Sequence, residues 1–170
     1  TRIHNALEVE DPELLDDEEE QSLAWVMLEQ VRANELEHGV EGGDKWNEIR
    51  LRINLAHHKT FGTLDRLRIR GRVAVAQDYK CGVTPVDDAE INAQAWSYAL
   101  GIFEMFPEVE IIHFYFLIPR QDEMTHALFV RHEDVEPEDY WEANEIVPVA
   151  TMAEIHLRID LIIERARELS

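Results

Sequence analysis

Three side chains in the middle of the chain have types and spacing suited to phosphoryl chemistry. Asp78 and Lys80 are two residues apart, and Asp65 lies thirteen residues before Asp78. On a strand, residues i and i+2 point to the same side, so Asp78 and Lys80 share a face. Two carboxylates beside one ammonium can hold a hard cation such as Mg²⁺ through oxygen. Such a cation polarises a phosphate and acidifies a bound water, and a lysine can orient that water or offset developing negative charge. An Asp-x-Lys triplet is common, and a surface ion pair accounts for its residue types equally well. The apolar run at residues 73–76 leads directly into Asp78. A charge at the end of a buried strand is where sheets place functional groups.

These residues must be positioned by the elements around them. Ile3 and Leu7 give residues 1–8 a helical face. Asp11-Pro12 breaks it, and an acidic run follows at 16–20. Leu23, Val26, Met27, Gln30 and Val31 repeat with helical period up to Gly39. Ile49, Leu51, Ile53 and Leu55 alternate with Glu48, Arg50, Arg52 and Asn54, which is a half-buried strand. Further strands are expected at 61–69 and 72–79, joined by a tight turn at Arg70-Gly71 that leaves the Asp65 and Asp78 strands adjacent. Pro85, Asp87 and Glu90 have the pattern of a capping-box helix start. Ile91, Ala95, Tyr98, Ile102 and Met105 then line one face of that helix, with Trp96, Leu100 and Phe103 on another. Strands at 110–118 and 124–131 follow, Pro137 can open a short helix, and Thr151 with Glu154 caps a last amphipathic helix carrying Ile155, Ile159, Ile162 and Leu169. The order is that of a single domain over residues 1–170, a mixed sheet with helices on its faces.

Charge is distributed unevenly. The 170 residues carry a net charge of −20, yet residues 45–80 hold nine of the sixteen basic residues against three acids. This basic island reads equally as one anion-binding face or as the wet side of a sheet. The longest apolar run, at 111–118, is interrupted by His113 and is too short to cross a bilayer. One cysteine excludes an internal disulfide and a four-cysteine zinc or iron–sulfur site, which suits a reducing compartment. Cys81 reads as a packed thiol, since no basic partner is dictated by spacing.

In order along the chain stand Gly62-Thr63-Leu64-Asp65-Arg66, Asp78-Tyr79-Lys80-Cys81-Gly82 and Gln94-x-x-x-Tyr98-Ala99. This succession resembles the PD-(D/E)xK nuclease superfamily, closest to its RecB-like clade with the phage-type exonucleases. The stretch Thr1-Arg2-Ile3-His4-Asn5-Ala6-Leu7-Glu8 resembles the first motif helix of that clade. The Gly that opens that motif would fall before Thr1, which implies a short preceding segment. The resemblance spans residues 1–8 and 45–120. It implies an α/β fold with a restriction-endonuclease-like mixed central sheet flanked by helices. It also implies that His4, Asp65 and Asp78, with the Tyr79 carbonyl, ligate a catalytic Mg²⁺ or Mn²⁺. Lys80 would be the catalytic lysine and Gln94 would stand beside it, while Tyr98 would support the motif helix. Arg66, Arg68 and Tyr98 would lie on the substrate side. Cys81 stands where Thr is frequent, and the cluster cysteines of iron–sulfur relatives are missing, so no iron–sulfur cluster is expected.

By residue type alone His4 and Gln94 would be ordinary helix side chains. Glu48 could be a further acid at the site, although an ion pair with its arginine neighbours explains it as well. His57-His58 lacks a matching carboxylate spacing. The function expected from the resemblance is a metal-dependent DNA nuclease, an exonuclease of phage-type recombination or repair, in the cytoplasm of a bacterial or phage-infected cell. Its partners would be DNA, with a second copy or a recombination protein, and no membrane. An alternative keeps the fold without the chemistry, as a nuclease-like DNA-binding or recruitment module. An acidic DNA mimic suits the net charge but not the basic island.

Overall fold

The computed structural model of the chain describes residues 1–55, 58–136 and 147–170, with the backbone alone at Leu55 and His58. The expected short helix at Pro137 and the ring of His57 lie outside the described residues.

A six-stranded mixed sheet, flanked by helices, organises the chain. The order of elements is α1 (Arg2–Glu8), α2 (Glu18–Glu37), β1 (Asp44–Leu55), β2 (His58–Arg70), β3 (Val73–Tyr79), α3 (Ala93–Met105), β4 (Ile111–Ile118), β5 (Glu123–Val130), β6 (Ala150–Thr151) and α4 (Met152–Glu168). Strands stand in sequence order across the sheet. β1–β2, β2–β3 and β4–β5 are antiparallel, while β3–β4 and β5–β6 are parallel. The β2–β3 turn is tight because Gly71 takes φ 60°, a left-handed conformation that a Cβ would strain. The parallel β3–β4 pair needs a crossover, and α3 supplies it.

Side-chain period fixes the two faces. Ala74 and Ala76 of β3 and Phe114, Phe116 and Ile118 of β4 pack with Ala95, Tyr98, Ala99 and Phe103 of α3 and with Ile155 and Ile159 of α4. Val75, Tyr79, Tyr115 and Leu117 face the other way, against Ile3 and Leu7 of α1 and Met27, Leu28 and Val31 of α2. Both β3 and β4 are therefore buried on both sides, which is why they read as continuous apolar runs. Burying a side chain such as Phe114 or Phe116 contributes about 1.5–3 kcal/mol each.

Two expectations about helices are corrected. Asp87 and Glu90 do not open α3. Asn92 is its N-cap, with Oδ1 accepting from the Gln94 N–H at 2.9 Å. The Trp96 indole donates to the Glu90 carbonyl and Ile91 N–H to that of Asp88, which commits the preceding segment to a turn and leaves Ile91 exposed. In α4, Ile155 and Ile159 are buried, but Ile162 and Leu169 extend past the sheet into solvent. The expected Thr151 cap is present, its Oγ1 accepting from Glu154 N–H. The two-residue β6 is too short to carry a sequence period.

Candidate functional site

The side chains singled out for chemistry meet at the carboxyl end of β3, beside the start of α3. β2 and β3 pair from Arg70↔Val73 to Arg66↔Gln77, so Asp65 and Asp78 stand just past the last rung. The Asp65 carboxylate takes over where the ladder stops, its Oδ2 accepting from Tyr79 N–H at 2.7 Å. Across the β1–β2 ladder the register passes from Asn47↔Arg66 to Ile49↔Leu64, skipping Glu48 opposite Asp65. Glu48 there takes φ 50°. A non-glycine residue in the left-handed region is strained, and such strain gathers at functional sites.

Asp78 is only 4% exposed. Its Oδ2 lies 2.7 Å from Lys80 Nζ, and Nζ also donates to Gln94 Oε1 at 2.8 Å. Gln94 Nε2 in turn donates to the Tyr98 hydroxyl at 3.0 Å, which donates to the Thr63 carbonyl at 2.9 Å. The chain of bonds thus runs from β2 through α3 to the lysine and fixes its ammonium beside Asp78. Gln94 presents both ends of its amide to this chain, as i,i+4 spacing with Tyr98 allows. Gly62 permits the arrangement: a Cβ there would stand 2.4 Å from Tyr98 Cε1. The glycine of the Gly-x-x-Asp stretch is therefore explained by close approach of the tyrosine ring.

Charge is crowded here. Burial raises the Asp78 carboxyl to about 6, with the Asp65 charge adding to the rise and Lys80 opposing it. Burial also raises Asp65, against the Tyr79 N–H that stabilises its anion. Glu48 lies near enough to add to the negative potential on both Asp65 and His4. Two neighbouring carboxyls titrate as a pair, and their strain is relieved by sharing a proton or by binding a cation.

His4 approaches from α1, positioned by Thr1, whose Oγ1 accepts from His4 N–H at 3.3 Å. Its Nδ1 stands 3.6 Å from Asp65 Oδ1, and its ring packs edge-on to Tyr79. Burial lowers its basicity. His4 Nε2 is buried without a hydrogen-bond partner. The Tyr79 backbone lies against the same ring, but His4, Asp65 and Asp78 do not bring one donor atom each within 4.8 Å of one another.

Three expectations about substrate contacts are corrected. Arg66 is 1% exposed, and its guanidinium meets Glu35 of α2 through Nε at 2.5 Å and Nη2 at 3.1 Å. It clamps α2 to the sheet and has no surface for a substrate. Arg68 is bound on the same side, through Nε to Glu35 at 3.2 Å and Nη1 to the Gly43 carbonyl at 3.1 Å. Tyr98 is 5% exposed with its hydroxyl committed to Thr63 and Gln94. It positions the lysine's partner and touches nothing outside. The exposed cationic surface lies further along the hairpin. Arg50, Arg52 and Lys59 are exposed, Arg50 stacks 4.1 Å over the ring of the half-exposed Phe61, and the groove continues past Asn54 to Glu104 and Met105. Alternation along β1 had marked Arg50 and Arg52 as solvent-facing. Cys81 behaves as a packed thiol: burial raises it to about 11, and it sits 4.0 Å from Met27 Sδ.

No curated protein matches this chain. A solved structure described as "Crystal structure of SSO0001" is similar to it at 15% identity, over 64% of this chain and 54% of that one, with a TM-score of 0.31. The chain thus spans about half the length of that protein. The family model described as DUF2800, a protein of unknown function, matches residues 6–160, and the chain belongs to that family.

Proposed function

We propose that the chain is a divalent-metal-dependent deoxyribonuclease of the PD-(D/E)xK type, an exonuclease of recombination or repair. One observation carries this: Asp65, Asp78 and Lys80 converge at the carboxyl end of β3, with Lys80 held between Asp78 and Gln94. The six-stranded mixed sheet and the parallel β3–α3–β4 crossover put these residues at the carboxyl end of a buried strand, where α/β sheets commonly hold functional groups. Asp65, Asp78 and His4, with the Tyr79 carbonyl, would draw together to hold Mg²⁺ or Mn²⁺, and the His4 imidazole, whose Nδ1 stands 3.6 Å from Asp65, favours Mn²⁺ more than an all-oxygen site would. Bound there, the cation supplies an acidified water and charge neutralisation at the scissile phosphate.

The chain's own groups do the rest. Lys80 keeps its ammonium against Asp78, where it meets negative charge building on the phosphate or steers the attacking water. Gln94 holds that ammonium in one place, so little reorganisation is needed at the moment of reaction. Arg50, Arg52 and Lys59 grip the phosphate backbone without reading bases, and Phe61 offers a face for a base to stack on. The test is incubation of the full chain with end-labelled single- and double-stranded DNA in Mg²⁺, Mn²⁺ or EDTA. Metal-dependent cleavage that is lost in Asp78→Asn supports the proposal. Equal cleavage by wild type and variant, or none by wild type in either metal, overturns it.

A further inference from the structure

The opposite face of the sheet carries a second cluster with no part in the site above. Strand alternation points His113 and Tyr115 of β4 toward α2, and Tyr115 pairs directly with His126 of β5. The third member, His38, is the C-cap of α2. Gly39 follows it at φ 67°, and Val40 N–H bonds back to Glu35 and Gly39 N–H to Leu36. This is a Schellman closure, which sets the direction of His38. The three rings crowd together. His38 stacks on His113 at 3.6 Å between centroids, and His126 on Tyr115 at 4.3 Å. His113 Nδ1 stands 3.0 Å from His126 Nε2, and His38 Nε2 stands 2.5 Å from the Tyr115 hydroxyl. One nitrogen from each of the three histidines falls within 4.8 Å of the others, the one such trio of His, Cys, Asp or Glu donors among the described residues.

We propose that His38, His113 and His126 form a binding site for one divalent transition-metal ion of the Zn²⁺ class, which ties the C-terminal end of α2 to β4 and β5. Three imidazoles with a fourth position left open are a zinc donor set, and tetrahedral zinc at about 2.0–2.1 Å from nitrogen places its ligand atoms about 3.3 Å apart. Reaching that geometry draws donor atoms now within 4.8 Å of one another closer together, and it requires the His38 and His113 rings, stacked 11° apart, to turn out of the stack so that their in-plane lone pairs converge. All-nitrogen donors select Zn²⁺, Cu²⁺, Ni²⁺ or Co²⁺ over Mg²⁺. The negative end of the dipole of the 20-residue α2 lies here, which favours a cation. The Tyr115 hydroxyl is placed to orient His38. Burial keeps all three imidazoles well below their usual basicity, so their lone pairs are available at neutral pH. Asp78 and Lys80 lie on the α3 face, so the two sites share no ligand.

The test uses the full chain carrying Asp78→Asn, stripped with EDTA and desalted, and titrated calorimetrically with Zn²⁺. One Zn²⁺ per chain at about 1 μM or tighter is expected. Adding His126→Gln or His38→Gln, both at half-buried positions, should weaken it by about 100-fold or more, while far-UV circular dichroism stays unchanged. Should either double variant unfold, Co²⁺ added to the Asp78→Asn chain decides: intense visible bands of tetrahedral cobalt with nitrogen ligands support the site, and their absence overturns it. Zn²⁺ bound equally by the histidine variants, or no Zn²⁺ bound at all, also overturns it. Neither result depends on DNA cleavage.

Discussion

Replacing Asp78 by Asn should stabilise the metal-free protein while destroying its proposed activity. The Asp78 carboxyl rises from an ordinary 3.8 to about 6, chiefly because it is buried and secondarily because Asp65 is charged beside it. A folded-state value above the unfolded one means that the native state binds the proton more tightly. The associated stability is therefore complete below pH ~4 and is lost as the pH climbs through ~6. About two units at roughly 1.4 kcal/mol each amounts to ~3 kcal/mol lost by wild type across that window. Asn keeps the shape and does not titrate, so it escapes the loss. Lys80 gives up an ion pair in the variant, but it retains Gln94 and is about a quarter exposed, so this refunds little. The expected excess stability of Asp78→Asn is about 2–3 kcal/mol at pH 7–8 in EDTA, shrinking toward zero by pH ~4. Urea denaturation of both proteins from pH 4 to pH 8 measures it. Saturating Mn²⁺ should raise the wild-type midpoint and leave the variant where it was. Parallel pH profiles for the two proteins, or a variant less stable than wild type at pH 8 in EDTA, would refute the reasoning.

Other perturbations separate chemistry, positioning and scaffold. Lys80→Ala should slow single-turnover cleavage about 10²–10³-fold, since a positioned charge acts mainly on the transition state, with filter-binding affinity for DNA unchanged. Gly62→Ala pushes a methyl into the Tyr98 ring and should cost about 1–3 kcal/mol in urea denaturation; because Tyr98 holds Gln94, cleavage should fall with it while Mn²⁺ affinity is kept. Arg66→Ala removes the two-pronged partner of buried Glu35, leaves it only the Arg68 Nε bond at 3.2 Å, and should cost about 3 kcal/mol of stability. Arg50→Ala should change stability by no more than about 0.5 kcal/mol, yet weaken DNA binding and reduce the salt slope by about 1.

Legibility in the sequence followed the range of the interactions concerned. The alternation of Ile49, Leu51 and Ile53 and the apolar run into Asp78 are local patterns, and they located β1 and β3 and made their burial readable. The short turn forced β2 next to β3, so the neighbourhood of Asp65 and Asp78 also followed from local chemistry. Asn92 displaced Asp87 as the cap of α3 through a choice no spacing rule ranks: both fit a helix start, and the Trp96 indole bond to Glu90 decided it. Arg66 and Arg68 were readable as charge but not as destination. Their partner Glu35 lies some thirty residues upstream on α2, and period-2 alternation cannot tell an arginine facing water from one facing a helix that carries a buried acid.

The basic island therefore divides by face, and the division bears on how an acidic protein could hold DNA. Arg66 and Arg68 neutralise Glu35, and Arg66 also stands 3.7 Å from Glu10, so neither contributes an uncompensated charge to the surface. Arg72 is paired with Glu110. What remains outward on the β1–β2 hairpin without an acidic partner among the described residues is Arg50, Arg52, Lys59 and, at the turn end, Arg70, few enough that phosphate contacts alone would give a shallow salt dependence. Affinity would then lean on stacking at Phe61 and on the metal site itself, both of which suit a strand end with unstacked bases more than the middle of a duplex. On the proposed reading the exposed cations suit an end-directed enzyme, and they are the residues that simple charge counting over residues 45–80 leaves indistinguishable from the buried Arg66–Arg68 clamp.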